Sequence, residues 1–217
     1  MQDFSDKLSN YLKNNKLAKD YSSDLIISGK NPWELRMILS WKEIGKLEIS
    51  SFELEDIWAL RDWWINTLSY DNRRFHPLFP CDNRTERYIV NHFKNTKNRK
   101  YITFNAWLLK EDLGFNNEII GHFYLMNYDS DKPNFGLGIS DKFQGKKLGV
   151  FFIIMIIYIA KILGKKSLWL TTDLDNNKGY SLYKKIGFED SGNTEVYIPA
   201  DNYMRVEREM KLDLNKY

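Results

Sequence analysis

FGLGISDKFQGKKLG, residues 135–149, reads as a strand, a short turn and the opening of a very apolar helix. The first turn of a helix leaves its N–H groups without intrahelical partners, and the aligned peptide dipoles add partial positive charge there. Together these make a site suited to phosphate. Gly145 and Gly149 let backbone approach a ligand closely, and Lys146 and Lys147 add cationic charge at the same place. An ordinary strand-to-helix turn with solvated lysines would carry the same residues. The spacing fits neither GxxxxGK[ST] nor GxGxxG, which excludes a P-loop and a dinucleotide fingerprint.

The helix that follows is continuously apolar from Leu148 to Ala160 and is bounded by Lys146, Lys147 and Lys161. It is shorter than the roughly 20 residues a membrane span requires, so it is expected over 147–163 as a helix buried in a large core. Beyond it the pattern gives a strand at 166–172, a helix at 176–186, and strands at 187–198 and 203–213. Before it come strands at 101–109, 118–126 and 134–140. The breaks at Asp112-Leu113-Gly114 and at Asp129 to Pro133 suit antiparallel connections. Further back lie a helix at 84–96, a loop from Asp71 to Asn83 broken by Pro77 and Pro80, and a strand at 46–52. Ser50 and Glu53 suggest the capping box of a helix over 53–69, with Ile57, Leu60, Trp64 and Leu68 facing inward.

The first forty-five residues read as helical. Phe4, Leu8, Tyr11 and Leu12 recur at helical spacing over 3–18. Asn31-Pro32-Trp33-Glu34 has the form of a helix start, Leu35, Ile38 and Leu39 form a stripe, and Gly45 suits the stop. The expected class is α/β (α+β): a mixed sheet with helices on both faces. Residues 1–45 form an N-terminal helical extension to a domain over 46–217.

Composition narrows the function. The chain has 217 residues, 15% aromatic, with 7 Trp, 12 Gly and 5 Pro, which excludes wholesale disorder and linker-like sequence. Cys81 is the single cysteine, so no disulfide framework is available within the chain. The charges, 32 Lys+Arg against 29 Asp+Glu, are spread along the chain; no basic face points to nucleic acid. Three His and one Cys make no metal-ligand spacing. The opening MQDFSDKLSNYLKNNK has acids and polar residues where a leader would be apolar, and the expectation is a cytoplasmic protein with no membrane partner.

Gln144-Gly145-Lys146-Lys147-Leu148-Gly149 resembles the acyl-CoA pyrophosphate motif of the GNAT superfamily of N-acyltransferases, written Q/R-x-x-G-x-G/A. Asn176, Gly179, Leu182-Tyr183, Lys185 and Gly187-Phe188 resemble that family's later N-x-x-A-x-x-L-Y-x-K-x-G-F pattern, with Gly179 where Ala is usual. The two motifs stand in the family's order, and the resemblance covers about 46–213. Lys147 departs from it, standing where the first motif has Gly; its side chain either crowds the pyrophosphate or points outward to pair with a phosphate.

The resemblance implies a mostly antiparallel, GNAT-like sheet and acetyl transfer from acetyl-CoA to a primary amine. It implies that strands 134–140 and 166–172 splay to admit the donor. Leu137, Gly138 and Ile139 would then meet the pantetheine arm, residues Gln144 to Gly149 the pyrophosphate, and Asn176 the arm again. Ile139 N–H becomes the candidate oxyanion donor and Tyr183 the candidate general acid. Gly136 and Gly138 suggest a bulge or a close backbone approach in their strand.

An alkyl amine with a pKa near 10.4 is about one part in a thousand neutral at pH 7, so its proton needs an acceptor. Residues 134–139 offer no Glu or His. His122 is the local candidate, sharing a strand face with Ile120, Tyr124 and Met126; a hydrogen-bonded core histidine would look the same. Asp173 and a water relay are the other options. The acceptor side carries Trp58, Trp63, Trp64, Tyr70, Phe75, His76 and Phe79, an aromatic wall or simple core packing. A module that binds acyl-CoA without turnover is the competing reading. The N-terminal extension covers the sheet or supports a homodimer.

Overall fold

A computed structural model describes residues 3–76, 78–110, 117–198 and 202–216. Pro77 and the turn expected at Asp112-Leu113-Gly114 lie outside those residues. In chain order the elements are helices α1 (Phe4–Asn14) and α2 (Lys16–Tyr21), then strands β1 (Ser22–Ser28), β2 (Arg36–Trp41) and β3 (Gly45–Ser51). Helices α3 (Ile57–Asp62), α4 (Tyr70–Phe75) and α5 (Thr85–Lys97) follow, then strands β4 (Tyr101–Leu108), β5 (Glu118–Met126) and β6 (Asn134–Ile139). Helix α6 (Leu148–Ile162), strand β7 (Ser167–Asp173), helix α7 (Asn177–Ile186) and strands β8 (Glu189–Ile198) and β9 (Tyr203–Asp213) complete the order.

The strands make one mixed, mostly antiparallel sheet in the order β1-β2-β3-β4-β5-β6-β7-β9-β8, with β6 and β7 as its parallel pair. Two apolar layers flank it. On one face α6 lies against the sheet, Phe152 stacking on Phe123 at 4.3 Å between ring centroids. On the other, α3 and α5 enclose Phe52, Leu60, Trp63, Trp64, Phe79 and Ile89. Helix α6 is apolar all round because it is covered on both sides. Tyr11 of α1 stacks on Tyr158 at 4.4 Å, and Trp41 of β2 packs on Phe151 at 4.9 Å. Among the described residues, no helix is long and apolar enough to cross a membrane.

The N-terminal forty-five residues are half helix and half sheet, which corrects the helical expectation. Asn31 caps a single 3-10 turn, Pro32–Glu34, its side chain accepting the Trp33 N–H at 3.0 Å. The chain then alternates, with Met37, Leu39 and Trp41 buried and Arg36 exposed, and β2 pairs with β3 from Arg36↔Ser50 to Trp41↔Gly45. The Leu35, Ile38 and Leu39 stripe fits a period of 3.6, but the two-residue period that buries Met37 and Trp41 wins. Gly45 opens β3 instead of ending a helix.

Two further expectations change. The helix read over 53–69 is a 3-10 turn, α3 and a π-helical turn at Trp63–Thr67. The wider turn, closed by Leu68 N–H to Trp63 C=O at 3.1 Å, buries two consecutive tryptophans. The 3-10 turn, Leu54–Asp56, is capped by Glu53 and Asp56, the Asp56 carboxylate accepting from Glu53 N–H at 3.0 Å, while Ser50 lies within β3. Asp71 to Phe75, expected as the start of a loop, belong to α4, capped by Ser69.

Strand β5 contains a bulge. Its register against β4 slips between Ala106 and Trp107, leaving Ile120 unpaired. Ile120 therefore packs with Phe123 on the α6 face, while His122 lies among the rings on the α5 face. The expected shared face of His122 and Ile120 is lost, because a bulge shifts every following side chain by one position. Strand β6 has no register slip against β5, so Gly136 and Gly138 serve close approach and not a bulge. The Tyr124 hydroxyl lies over Gly136, and the His76 and Trp63 rings lie over Gly138.

Candidate functional site

β6 and β7 are in register only at Asn134↔Trp169, where the Trp169 N–H donates to the Pro133 carbonyl at 2.9 Å. Beyond that pair they part, and a cleft of about 750 Å³ opens between their C-terminal ends. Strand alternation settles which backbone groups face it. Ser140 N–H donates to Ile120 C=O at 2.9 Å, so Ser140 and Gly138 point toward β5. The N–H and C=O groups of Leu137 and Ile139 therefore point toward the cleft, and the Asn72 amide reaches the Ile139 carbonyl there at 3.4 Å.

The floor continues into the turn before α6. Gln144, Gly145, Lys147, Leu148 and Gly149 all line the cleft; Lys146 does not. The Lys146 ammonium donates to Glu43 C=O at 3.1 Å, and its own carbonyl accepts from the Trp41 indole at 3.0 Å. Lys147 is the N-cap residue and supplies no side-chain acceptor, so the first turn of α6 keeps its donors for the cleft. Its φ of 67° explains why glycine suits this position. The side chain is carried at a backbone strain of about 1–2 kcal/mol. Lys147→Gly is expected to stabilise the fold by about 0.5–1 kcal/mol, the relieved strain less the added unfolded-state entropy. Urea unfolding of the variant checks this; a loss of stability would contradict it.

The turn is also tied to α4. Asp141 accepts from the Ser69 N–H at 3.0 Å and from its hydroxyl at 2.7 Å, and the Gln144 amide donates to Asn72 at 2.7 Å. On the opposite wall, Asn176 caps α7. Its oxygen accepts from Gly179 N–H at 2.9 Å and its amide donates to Thr172 at 3.1 Å. A Cβ on Gly179 would stand 2.6 Å from that amide nitrogen, which accounts for glycine at this position. Tyr183 reaches the cleft from α7, its ring set edge-on against Phe135 and Phe188. Burial, with the Glu207 carboxylate nearby, pushes its phenol up to about 12.

Asp173 is no free base. It is paired with Arg205 at 2.9 Å and Arg74 at 3.5 Å, and it accepts the Asp175 N–H at 2.8 Å. His122 is fully buried and does not line the cleft. Its Nδ1 meets the Asn105 oxygen at 2.8 Å, and the Asn105 amide donates to Asp56 at 3.1 Å. The histidine on the cleft wall is His76, at the end of α4. All three histidines are buried in one chamber of rings. His122 lies 6.4 Å from His76 and 5.5 Å from His92 between centroids, with Tyr124 5.7 Å from His76. Burial lowers His76 to about 4 and His92 to about 3, and holds His122 well below its ordinary value.

The aromatic wall divides accordingly. Trp63, Trp64 and Phe79 are core; Trp58 and Tyr70 face solvent; Phe75 and His76 line the cleft. Asn72 and Asp141 carry no local signal in the sequence. Only the Ser69 cap and the fold of α4 across β6 bring them to the site.

A sequence model of the acetyltransferase (GNAT) family matches residues 59–188, more than half of the chain. No curated protein matches it significantly. Among solved structures, a spermidine N-acetyltransferase from Vibrio cholerae in complex with CoA and spermine superposes with a TM-score of 0.60 at 19% identity. That match covers 79% of this chain and 97% of the other. An N-acetyltransferase from Staphylococcus aureus Mu50 gives 0.57 at 16% identity over 77% and 98% of the two chains. The ribosomal-protein-S5-alanine acetyltransferase of Vibrio fischeri gives 0.58 at 13% over 79% and 94%. At these identities the likeness is one of fold. The family model supplies what the fold alone would not, and the chain belongs to the GNAT acetyltransferase family.

Proposed function

We propose that the chain is an N-acetyltransferase that passes the acetyl group of acetyl-CoA to a primary amine by direct attack in a ternary complex. The observation that carries this is the parting of β6 and β7 above an uncapped helix start, with the Ile139 backbone turned into the gap. The donor's pyrophosphate meets the first-turn N–H groups of α6 and the Lys147 ammonium. Its pantetheine arm lies along Leu137 and Ile139, pairing with backbone groups that β7 leaves free, and Asn176 and Leu148 close the walls. The Vibrio cholerae structure, solved with CoA, supports a CoA-using reading.

The chemistry follows from the same placement. The amine nitrogen bonds to the thioester carbon, and the carbonyl π pair moves to oxygen, where Ile139 N–H stabilises it. The C–S bond then breaks and the sulfur leaves with its electron pair. Tyr183, with a phenol near 12, keeps its proton at any working pH and offers it to the thiolate. Tyr183→Phe is expected to lower kcat about a hundredfold while CoA affinity stays within threefold. An unchanged rate would remove Tyr183 from this role.

Calorimetry with coenzyme A, followed by thiol release with a panel of small amines, amino sugars and peptides, tests the whole reading. Binding with turnover supports it. Binding without turnover across the panel makes the chain an acyl-CoA-binding module, and no binding removes the donor site.

A further inference from the structure

We infer that His76 is the base that takes the proton from the attacking amine, and that Asp56, Asn105 and His122 form a fixed string positioned behind it. This rests on the acetyltransferase reading. As the N–C bond forms, the nitrogen holds one proton more than the amide can keep, and a group within reach must accept it. The carboxylates on the cleft are engaged or exposed to solvent. Asp141 is bonded to Ser69, Asp175 is paired with Arg74 at 2.7 Å, and Asp71 lies exposed on the first turn of α4. Deeper in, Arg205 holds Asp173 and Glu207.

His76 is placed differently. Its ring packs directly across Gly138, where an added Cβ would stand 2.8 Å from the His76 Cδ2. Gly138 immediately precedes Ile139, whose N–H faces the cleft, so an amine attacking a carbonyl held there passes beside this imidazole. The His76 Nε2 is buried without a hydrogen-bond partner among the described residues. Leaving such an atom unpaired costs stability, and its retention beside the reacting carbonyl fits use in turnover.

The string behind it fixes one tautomer. Asp56 accepts two donors, the Glu53 N–H and the Asn105 amide. The Asn105 oxygen is therefore the atom facing His122, and an oxygen can only accept. His122 thus carries its hydrogen on Nδ1 and a lone pair on Nε2, which is also buried and unpartnered. That lone pair lies in the chamber His76 shares and favours the imidazolium that His76 becomes. One amine proton stays on the amide and one passes to His76. The thiolate takes the Tyr183 proton, and the imidazolium and phenolate are neutralised through the open cleft.

The test starts from wild-type thiol release. His76→Gln is expected to lower kcat by a hundredfold or more, with CoA affinity changed less than threefold. Added imidazole should restore part of the rate to His76→Gly. Should these variants fail to fold, diethylpyrocarbonate on the wild type decides. Activity should fall in proportion to modification of His76 alone, CoA should slow it, and sealed His92 and His122 should be spared. Histidine ¹⁵N spectra should show His122 protonated on Nδ1, and Asn105→Leu should lower kcat about tenfold at constant KM. A His76→Gln enzyme within threefold of wild type, or an active enzyme carrying modified His76, overturns the base. An Nε2-protonated His122 overturns the string. A wild type with no turnover on any amine sinks the acetyltransferase reading itself and takes the base with it.

Discussion

Gly149→Trp should weaken coenzyme A binding by a hundredfold or more while the chain stays folded. Gly149 is the second residue of α6, and a Cβ there would stand 3.2 Å from the Leu182 side chain of α7 and 3.5 Å from that of Ile139. The vector therefore leads into the gap between α6, α7 and β6, where the first-turn donors face the cleft. An indole there occupies the volume a diphosphate needs and brings no charge to replace it. The fold tolerates it because the nearest atom is the flexible end of Leu182, and overpacking of this kind costs about 1–3 kcal/mol. The rest of α6 remains held by Phe151, Phe152 and Ile156. Calorimetry with CoA and a urea titration read the two quantities separately. Lys146→Ala is the matching control: its side chain reaches Glu43 and not the cleft, so affinity should stay within threefold. A Gly149→Trp chain that binds CoA as wild type does would mean the phosphate site lies elsewhere.

The site was readable where chemistry and local geometry coincide. Residues 144–149 leave strand β6 and start α6, so the positions proposed to meet a phosphate sit next to each other in the chain. Tyr183 and Asn176 both line the cleft because one short helix, α7, and its cap carry them there. The proposed base has no such local mark, because its position depends on two features without a local signal. The bulge at Ile120 moves His122 off the face that alternation assigns, and α4 forms where Asp71 and the prolines suggest loop. Only that helix, latched by Ser69 to Asp141 and by Asn72 to Gln144, brings His76 over Gly138. The N-terminal segment departs from its local pattern for another reason. Asn31-Pro32-Trp33-Glu34 is a true helix start, but only for one 3-10 turn; pairing with β3 then outweighs local preference.

Burying every histidine in one chamber has a consequence for the whole fold: the chain should lose stability steeply as pH falls from 8 to 5. A histidine in the unfolded chain titrates near 6.5. In the folded chain burial lowers His76 to about 4 and His92 to about 3, and holds His122 well below 6.5. The unfolded state thus binds more protons throughout this window, so stability is full above about pH 7 and falls as the pH drops. Each such group withdraws about 2 kcal/mol by pH 5, and three together about 6 kcal/mol. That is comparable with the total stability of about 5–15 kcal/mol of an ordinary domain. The charges also oppose one another, since His76 and His92 each disfavour a proton on His122. Urea unfolding followed by circular dichroism at pH 8, 6.5 and 5 measures the slope directly. His92→Gln keeps a polar partner for Thr103 and removes one titrating group, so its slope should be shallower by about one proton. Equal free energies of unfolding at pH 8 and pH 5 would mean that the histidines titrate alike in both states, and the burial that lowers them would have to be given up.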